Sequence, residues 1–308
     1  MPPRDTKFKL NTGAEIPAIG FGTWQDEEAQ EKAVEVALQA GYRHIDTAAI
    51  YGTEVAVGKA IKKSGVPRKE IFITSKLWNN KHKPEDVEGA IDATLKNLGV
   101  DHLDLYLMHW PVAFAPGDDP FPKDDAGKMK KADIDYVDTY KAMEKLIDAG
   151  KTKAIGISNF SKGETERLLK NTTVVPAVHQ LELHPWLQQP AFIAFLKSKG
   201  IHVTQYSSLG NQNEMYEQAG KMLDSPVLTA VAKKYNKTAP QAALAWGINE
   251  GHSVLVKSKT EARIKQNFES DFELMPEDLQ LVHEMNKNRR FNDMSEAFGY
   301  NCFSDLDK

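Results

Sequence analysis

The sequence predicts an α/β protein of the (β/α)8 TIM-barrel class, folded as a single domain over residues 1–308. Eight short apolar runs suited to buried strands alternate with stretches in which apolar residues recur at helical spacing. The length agrees, because such a barrel typically takes ~250 residues and the surplus lies in loops at the carboxyl face of the strands. A doubly wound parallel sheet is the alternative that these repeats leave open. The predicted strands are residues 19–24, 42–46, 71–76, 103–109, 154–158, 177–181, 202–206 and 254–257.

The chain is predicted to begin with a β-hairpin within residues 1–18, turned by an asparagine and a glycine, which closes the bottom of the barrel. After the first barrel strand, apolar residues on one face predict an amphipathic helix over residues 27–39. The same pattern predicts helices over residues 84–97 and 137–149. Strands and helices thus follow one another as a parallel barrel requires.

Three stretches interrupt this alternation: residues 111–135, 207–225 and 286–308. Long segments without secondary structure in a compact domain are usually lids or binding loops, so we expect all three around one pocket. The tail, residues 286–308, is rich in aromatic and other apolar side chains but has neither a helical nor an alternating period. We therefore expect it to fold over the pocket.

The composition favours small-molecule chemistry. The net charge is only −4 and the basic residues are scattered, which argues against a nucleic-acid or anionic-membrane partner. A single cysteine, Cys302, excludes an intramolecular disulfide and favours a reducing, cytoplasmic location. No run reaches the ~20 apolar residues of a membrane span, and the start lacks the apolar core of a signal peptide. We expect a monomer.

Titratable side chains stand at the ends of three predicted strands. Asp46, Lys76 and His109 each close an apolar run, and Tyr51 follows Asp46 on the next loop. Because the carboxyl ends of parallel strands meet at one rim, these four side chains are predicted to converge in a catalytic arrangement. Taken singly, each has an ordinary explanation, such as a structural ion pair or a core histidine.

Asp46 lies in a segment that recurs in a known family, and further motifs follow it in order. The motifs are Gly41-Tyr42-Arg43-His44-Ile45-Asp46-Thr47-Ala48, Leu77-Trp78, His109-Trp110-Pro111, Gly156-Ile157-Ser158-Asn159-Phe160, Gln180 and Lys257-Ser258. Together they resemble the aldo-keto reductase family from Leu10 to about Glu284. The segment of residues 206–214 resembles the fungal glycerol dehydrogenase and aldehyde reductase branch.

The resemblance implies an NADP-dependent oxidoreductase of the alcohol dehydrogenase or aldehyde reductase type. Such an enzyme reduces aldehydes or ketones, including glyceraldehyde, dihydroxyacetone or sugar-type carbonyls, to alcohols by hydride transfer. The family's catalytic tetrad maps onto Asp46, Tyr51, Lys76 and His109, with Tyr51 as proton donor. An isolated tyrosine has a pKa near ~10, and a nearby ammonium such as that of Lys76 is expected to lower it. Asp46 would keep Lys76 charged, and His109 would orient the carbonyl oxygen.

The predicted cofactor is NADP(H), although the sequence lacks the glycine-rich loop by which Rossmann folds bind dinucleotides. Residues 20–24 begin like a dinucleotide fingerprint but lack the third glycine and open no helix. Residues 257–267 combine cations and hydroxyls at the start of a predicted helix, which suits a phosphate, with Thr260 as its cap. A solvated helix face is the alternative reading of this cluster.

The resemblance implies roles for individual residues in coenzyme binding. Lys257, Ser258, Thr260, Arg263 and Asn267 match positions that bind the 2′-phosphate and adenine, and Gln266 stands where the family often has glutamate. Ser158, Asn159 and Gln180 match positions that hold the nicotinamide amide, and Tyr206 matches a position that stacks on the nicotinamide ring. Strand-end capping and core filling are the alternatives for these four. The predicted coenzyme site also includes Gly22, Thr23, Asp46, Ser207 and Leu209.

Trp24, Trp78 and Trp110 follow three strand ends and are predicted to form the wall of an apolar substrate pocket, or else to pack between loops at the rim of the barrel.

A second class of function stays open, in which the barrel is a nicotinamide-binding regulatory subunit resembling the potassium-channel β-subunit relatives. A metal-dependent hydrolase is disfavoured. His179 and His184 are close in sequence, but no His-x-His pair ends the first strand, so no metal site is predicted.

Overall fold

The computed structural model describes residues 5–212 and 220–306. Eight parallel strands close into a barrel in chain order, with the last strand paired to the first, so the predicted fold class is confirmed and a doubly wound sheet is excluded. The barrel strands are β3 (Ile19–Gly22), β4 (His44–Asp46), β5 (Phe72–Leu77), β6 (Leu105–Met108), β7 (Ile155–Ser158), β8 (Val178–Glu182), β9 (His202–Tyr206) and β10 (Ser253–Val256).

A separate antiparallel hairpin precedes the barrel, formed by β1 (Lys7–Lys9) and β2 (Glu15–Pro17). Its Leu10 and Ile16 pack in one buried cluster with Phe72, Leu105 and Val178. Those three residues are each the first of a barrel strand. The hairpin therefore covers the amino ends of the strands, as predicted, and leaves the carboxyl ends for the site.

Helices surround the barrel and connect its strands. They are α1 (Glu27–Ala40), α2 (Glu54–Ser64), α3 (Val87–Leu98), α4 (Tyr136–Asp148), α5 (Lys162–Asn171), α6 (Pro190–Ser198), α7 (Pro226–Lys234), α8 (Ala239–Asn249), α9 (Glu261–Phe268), α10 (Pro276–His283) and α11 (Ser295–Phe298). The helix predicted over residues 84–97 begins as a 3-10 turn at Pro84–Asp86 before α3. The predicted tail contains a short helix, α11, which its aperiodic sequence did not indicate.

Gly41 sets the direction in which the chain enters β4. It ends α1 with a φ of 113°, a conformation that residues with a side chain rarely adopt. A Cβ atom there would also lie 2.7 Å from the ring of Phe268. The glycine thus permits a sharp turn into the strand that ends at Asp46.

The long loops lie at the carboxyl face. The first, residues 111–135, is tied together by isolated bridges between Phe114 and Lys131 and between Lys123 and Met129. Part of the second, residues 213–219, lies outside the described residues, as does the end of the segment resembling the fungal branch. In the described ranges, the helices all fall short of the length and apolar character that crossing a membrane demands.

Candidate active site

A cavity of about 470 Å³ opens at the carboxyl ends of the barrel strands. Many predicted site residues line it: Gly22, Thr23, Trp24, Asp46, Tyr51, Trp78, His109, Trp110, Ser158, Asn159, Gln180, Tyr206, Ser207, Leu209 and Lys257. Lys76 lies directly behind this lining and is fully buried. The structure therefore brings the four predicted catalytic side chains to one place.

A buried ion pair forms the floor of this cluster. Lys76 Nζ lies 2.5 Å from Asp46 Oδ1 and also donates to the Thr47 carbonyl at 2.9 Å. The other carboxylate oxygen of Asp46 accepts from Gln180 Nε2 at 2.7 Å. Burial lowers the pKa of Lys76, but Asp46 and Tyr51 together outweigh it, so the pKa lies above its ordinary value. The sequence prediction that Asp46 keeps this lysine charged agrees with the geometry.

Tyr51 sits above this pair at the end of a 3-10 turn, Ala49–Tyr51, that follows β4. Lys76 Nζ lies 5.1 Å from the centre of its ring. Burial raises the pKa of the Tyr51 hydroxyl, and although Lys76 lowers it, burial has the larger effect and the net shift is upward. The expectation that Lys76 brings this pKa below its ordinary value is thus wrong for the net shift. It omitted the desolvation of the phenol.

His109 completes the cluster directly after β6, where its backbone N–H still donates to the Leu77 carbonyl at 3.1 Å. Its ring meets those of Tyr51 and Trp78 edge-on, with centroid separations of 5.7 and 5.2 Å. Burial, together with the positive charge of Lys76, holds the pKa of His109 well below its usual value. The imidazole is therefore neutral at physiological pH and presents one N–H donor.

Polar side chains from the ends of β7 and β9 form a hydrogen-bonded chain that reaches the His109 carbonyl. Asn159, which has a φ of 61°, donates through Nδ2 to the His109 carbonyl at 3.0 Å and to Ser158 Oγ at 3.1 Å. Its Oδ1 accepts from the Tyr206 hydroxyl at 2.6 Å. These bonds fix the carboxamide of Asn159 and the ring of Tyr206 at the cavity wall.

The cationic cluster lies at the edge of the cavity, where sequence reasoning missed its principal partner. Asp26, before α1, accepts a hydrogen bond from Lys257 and lies 3.2 Å from Lys259 Nζ. The hydrogen bond from Lys257 is the main cause that lowers the pKa of Asp26. These two lysines are thus already neutralised in part by an acid contributed from an adjacent βα loop.

Beyond Lys257, the predicted phosphate-binding residues lie outside the cavity lining. Thr260 occupies the N-cap position of α9, but its side chain caps no backbone N–H; its own N–H donates to Ser258 Oγ at 3.1 Å. The predicted capping hydrogen bond is therefore absent. Arg263 and Gln266 are exposed, whereas Asn267 is buried.

An aromatic cluster forms part of the cavity wall. Trp110 and Phe298 meet edge-on at 5.2 Å, and Trp78 donates from Nε1 to the Pro120 carbonyl at 2.7 Å. Trp24 lines the cavity too but remains 42% exposed. Lining residues that the predicted site omitted include Ile50, Phe121, Asn292, Met294 and Phe298, of which the last three belong to the tail.

The two histidines considered for a metal site have other partners. His179 accepts from the Phe160 N–H at 3.1 Å, and His184 lies 2.9 Å from a carboxylate oxygen of Glu182. Among the residues that the structure describes, no three His, Cys, Asp or Glu side chains are placed to share a metal ion.

Comparison with known proteins gives a consistent result. A model of the aldo/keto reductase family matches residues 18–287. The chain is 48% identical over 293 residues to an uncharacterized oxidoreductase of Schizosaccharomyces pombe, covering 94% of this chain and 91% of that protein. It is 44% identical over 291 residues to human aldo-keto reductase family 1 member A1, covering 92% and 90% of the two chains. The solved structure of the aldose reductase from Schistosoma japonicum matches with a TM-score of 0.90 at 36% identity, covering 98% of each chain.

Proposed function

Because the chain belongs to the aldo/keto reductase family, and is thereby an oxidoreductase of carbonyl compounds, we propose that it reduces aldehydes and ketones with NADPH and uses Tyr51 as the proton donor. The observation that carries this proposal is the buried Asp46–Lys76 pair beneath Tyr51, with a neutral His109 beside the phenol. The hydroxyl of Tyr51, the ammonium of Lys76 and the N–H of neutral His109 thus converge on one side of the cavity.

Each member of this cluster has a distinct role in the proposed reaction. The raised pKa of Tyr51 keeps its hydroxyl protonated at neutral pH, so the proton is available to the oxyanion that forms as the carbonyl is reduced. The ammonium of Lys76 then stabilises the phenolate that remains, and Asp46 keeps that ammonium charged. The N–H of neutral His109 hydrogen-bonds the carbonyl oxygen and orients it.

The donor set of the cavity fits a nicotinamide coenzyme, which supplies the hydride when bound. The hydroxyl of Ser158 and the carboxamides of Asn159 and Gln180 offer both donors and acceptors to a nicotinamide amide. The ring of Tyr206 at the same wall offers a stacking face. Lys257 lies at the cavity edge, where we place the phosphates, with Ser258, Thr260, Arg263 and Asn267 as further ligands.

The apolar wall supports a preference among carbonyl substrates. Trp78, Trp110 and Phe298 pack around the cavity that Tyr51 faces, and large aromatic aldehydes bury the most apolar surface against such a wall. Small polyol-type carbonyls such as glyceraldehyde fit the same volume but leave much of this wall uncovered. We therefore propose higher kcat/KM for aromatic aldehydes than for glyceraldehyde.

The test is Tyr51→Phe, assayed by NADPH consumption over a panel of aldehydes. Loss of a general acid should lower kcat by about 10²- to 10⁴-fold. NADPH affinity, measured by fluorescence titration, should stay within about twofold, since only a transition-state interaction is lost. Retention of a substantial fraction of wild-type kcat would show that Tyr51 is not the acid.

Tyr140→Phe is the matched control. Tyr140 is fully buried on α4 and does not line the cavity, and its hydroxyl has no hydrogen-bond partner among the residues that the structure describes. The same chemical change there should leave kcat unaltered. Turnover too slow to measure in the wild-type protein with every aldehyde would instead favour the regulatory, redox-sensing function.

A further inference from the structure

A buried carboxylate that the proposed reaction does not use lies one layer above the nicotinamide-binding residues. Glu182 is the last residue of β8, two positions after Gln180 and on the same face of that strand. In the barrel register it stands opposite Tyr206. Its side chain is completely buried.

The partners of this carboxylate come largely from the carboxyl-terminal tail. Glu182 Oε1 accepts from the backbone N–H of Phe291 at 2.8 Å, and Oε2 accepts from that of Asn292 at 2.7 Å. His184 Nε2 lies 2.9 Å from Oε1. A buried charge is costly unless it is fully hydrogen-bonded, so the tail amides are part of what makes this acid tolerable.

Ionisation of the acid is consistent with these bonds. Burial raises the pKa of Glu182, but the hydrogen bond and electrostatic attraction of His184, together with the two tail amides, more than offset it, and the pKa lies below its ordinary value. A carboxylate that is charged at neutral pH accepts stronger hydrogen bonds from N–H groups than a neutral acid does.

The anchored residues lead into the part of the pocket wall that the tail forms, and Asn292 itself lines the cavity. Asn292 also donates from Nδ2 to Ser207 Oγ at 3.2 Å, and the ring of Phe291 lies 5.3 Å from that of His184. Two residues further along the tail, Met294 lines the cavity, and Phe298 follows in α11. The attachment at residues 291–292 therefore determines where the wall begins.

We propose that Glu182 is a positioning residue whose carboxylate anchors residues 291–292 of the tail and so sets the selectivity of the pocket for large carbonyl substrates. The selectivity part rests on the proposed function, whereas the anchor itself does not. Glu182 acts through the tail and takes no part in proton transfer.

The test is Glu182→Gln, which keeps the size of the side chain but replaces one of the two acceptors by an N–H2 group facing a backbone N–H. Amide hydrogen exchange at Phe291 and Asn292 should become at least about tenfold faster as the tail opens more often. The kcat/KM for bulky aromatic aldehydes should fall about tenfold or more, with small aldehydes changed less than about threefold. NADPH affinity should not change.

Glu284→Gln is the matched control. It makes the same chemical change at an exposed residue at the end of α10 that does not contact the tail amides. Unchanged exchange at residues 291–292 in Glu182→Gln, or equal losses for large and small aldehydes, would overturn the proposal. If NADPH supports no aldehyde reduction at all, the proposed function fails, and the exchange rates alone decide whether the anchor exists.

A second pair of variants covers the case in which Glu182→Gln does not fold. Asn292→Pro and Asn292→Ala both lose the side chain, but only proline also loses the N–H that donates to Glu182. The ratio of kcat/KM for large over small aldehydes should be lower in the proline variant than in the alanine variant, and exchange at Phe291 should be faster. Equal values in both variants would overturn the anchor.

Discussion

At the scale of single residues, the site contains two aspartate–lysine ion pairs that differ in their exposure to solvent. Asp46 and Lys76 have side-chain exposures of 4% and 0%, whereas Asp26 and Lys257 have 31% and 27%. Removing one member of a buried pair strands a charge at a cost of about 3–5 kcal/mol, so variants of Asp46 or Lys76 test folding as much as catalysis. A partly exposed pair contributes at most about 1 kcal/mol, so Lys257 can exchange Asp26 for another anion at little cost.

Substitution of Asp26 and of Arg263 should shift coenzyme affinity in opposite directions. Asp26→Asn frees Lys257 and Lys259 and should tighten NADPH binding, by no more than about fivefold because the ion pairs are partly exposed. Arg263→Ala should weaken NADPH binding by roughly 1.5–3 kcal/mol, the usual contribution of a charge-assisted hydrogen bond. Fluorescence titration with NADPH and NADH measures both effects.

NADH is the internal control for this pair, because it lacks the additional phosphate. Its affinity should change little in either variant. Equal changes for NADPH and NADH in Arg263→Ala would mean that this arginine does not contact the 2′-phosphate.

At the scale of elements, the strands and the loops divide the site between them. Strands β4 and β5 supply Asp46 and Lys76, and His109 follows β6. The barrel ladder holds these three strands in register. The apolar wall comes instead from Trp78 and Trp110, just past the ends of β5 and β6, together with the first long loop and the tail, and these segments pack together as one aromatic cluster. Loops vary at lower cost than barrel strands, so substrate range is expected to follow the loops.

Phe298 and Phe114 allow this division to be tested within one cluster. Their rings lie 5.0 Å apart and both are buried, but only Phe298 lines the cavity. Either phenylalanine-to-alanine change should lower the free energy of unfolding by about 3–5 kcal/mol. Only Phe298→Ala should also lower kcat/KM for aromatic aldehydes relative to glyceraldehyde, by about tenfold.

Urea unfolding and steady-state kinetics on both variants give the comparison. A similar change of substrate ranking in Phe114→Ala would attribute the effect to general loosening of the cluster. No change in Phe298→Ala would remove this part of the tail from substrate selection.

At the scale of the whole molecule, several histidine side chains are buried in the barrel and among the elements that surround it. Burial lowers the pKa of His44 to about 4 and those of His82, His179 and His252 to about 3. Unfolding exposes these rings, whose pKa values then return to about 6.5. Below pH 6.5 these histidines are protonated in the unfolded chain but stay neutral in the folded protein. Their contribution to the free energy of unfolding is therefore fully present above pH 6.5 and is lost as the pH falls towards 4.

His82→Leu should reduce this pH dependence. Within the described part of the chain, neither ring nitrogen of His82 has a hydrogen-bond partner that the change would break. One such histidine should account for a loss of about 2 kcal/mol between pH 7 and pH 5. The decrease in unfolding free energy over that interval, measured with urea, should therefore be smaller in the variant by about this amount. Above pH 7 the two proteins should show parallel curves. An unaltered decrease between pH 7 and pH 5 would show that His82 is protonated equally in both states.

Patterns that are local in the sequence were enough to predict the barrel and the convergence of its polar strand ends. The predicted strand over residues 202–206 coincides with β9. Asp46 is the last residue of β4, Lys76 is one residue before the end of β5, and His109 directly follows β6. A polar residue that closes an apolar run can be recognised without knowing its neighbours in space. The rule that parallel strands end at one rim then places these residues together.

Only the tertiary structure decided which groups pair across the chain and how strongly each is desolvated. Lys257 meets Asp26 from 231 positions away, and Glu182 meets the amides of residues 291 and 292 from more than a hundred away. The upward shift in the pKa of Tyr51 likewise arises from burial by many residues at once. The sequence determined the fold and the types of side chain at its rim, because periodicity and strand ends are local. Partner choice and burial were left to the folded chain, because they depend on distances between segments that no local spacing encodes.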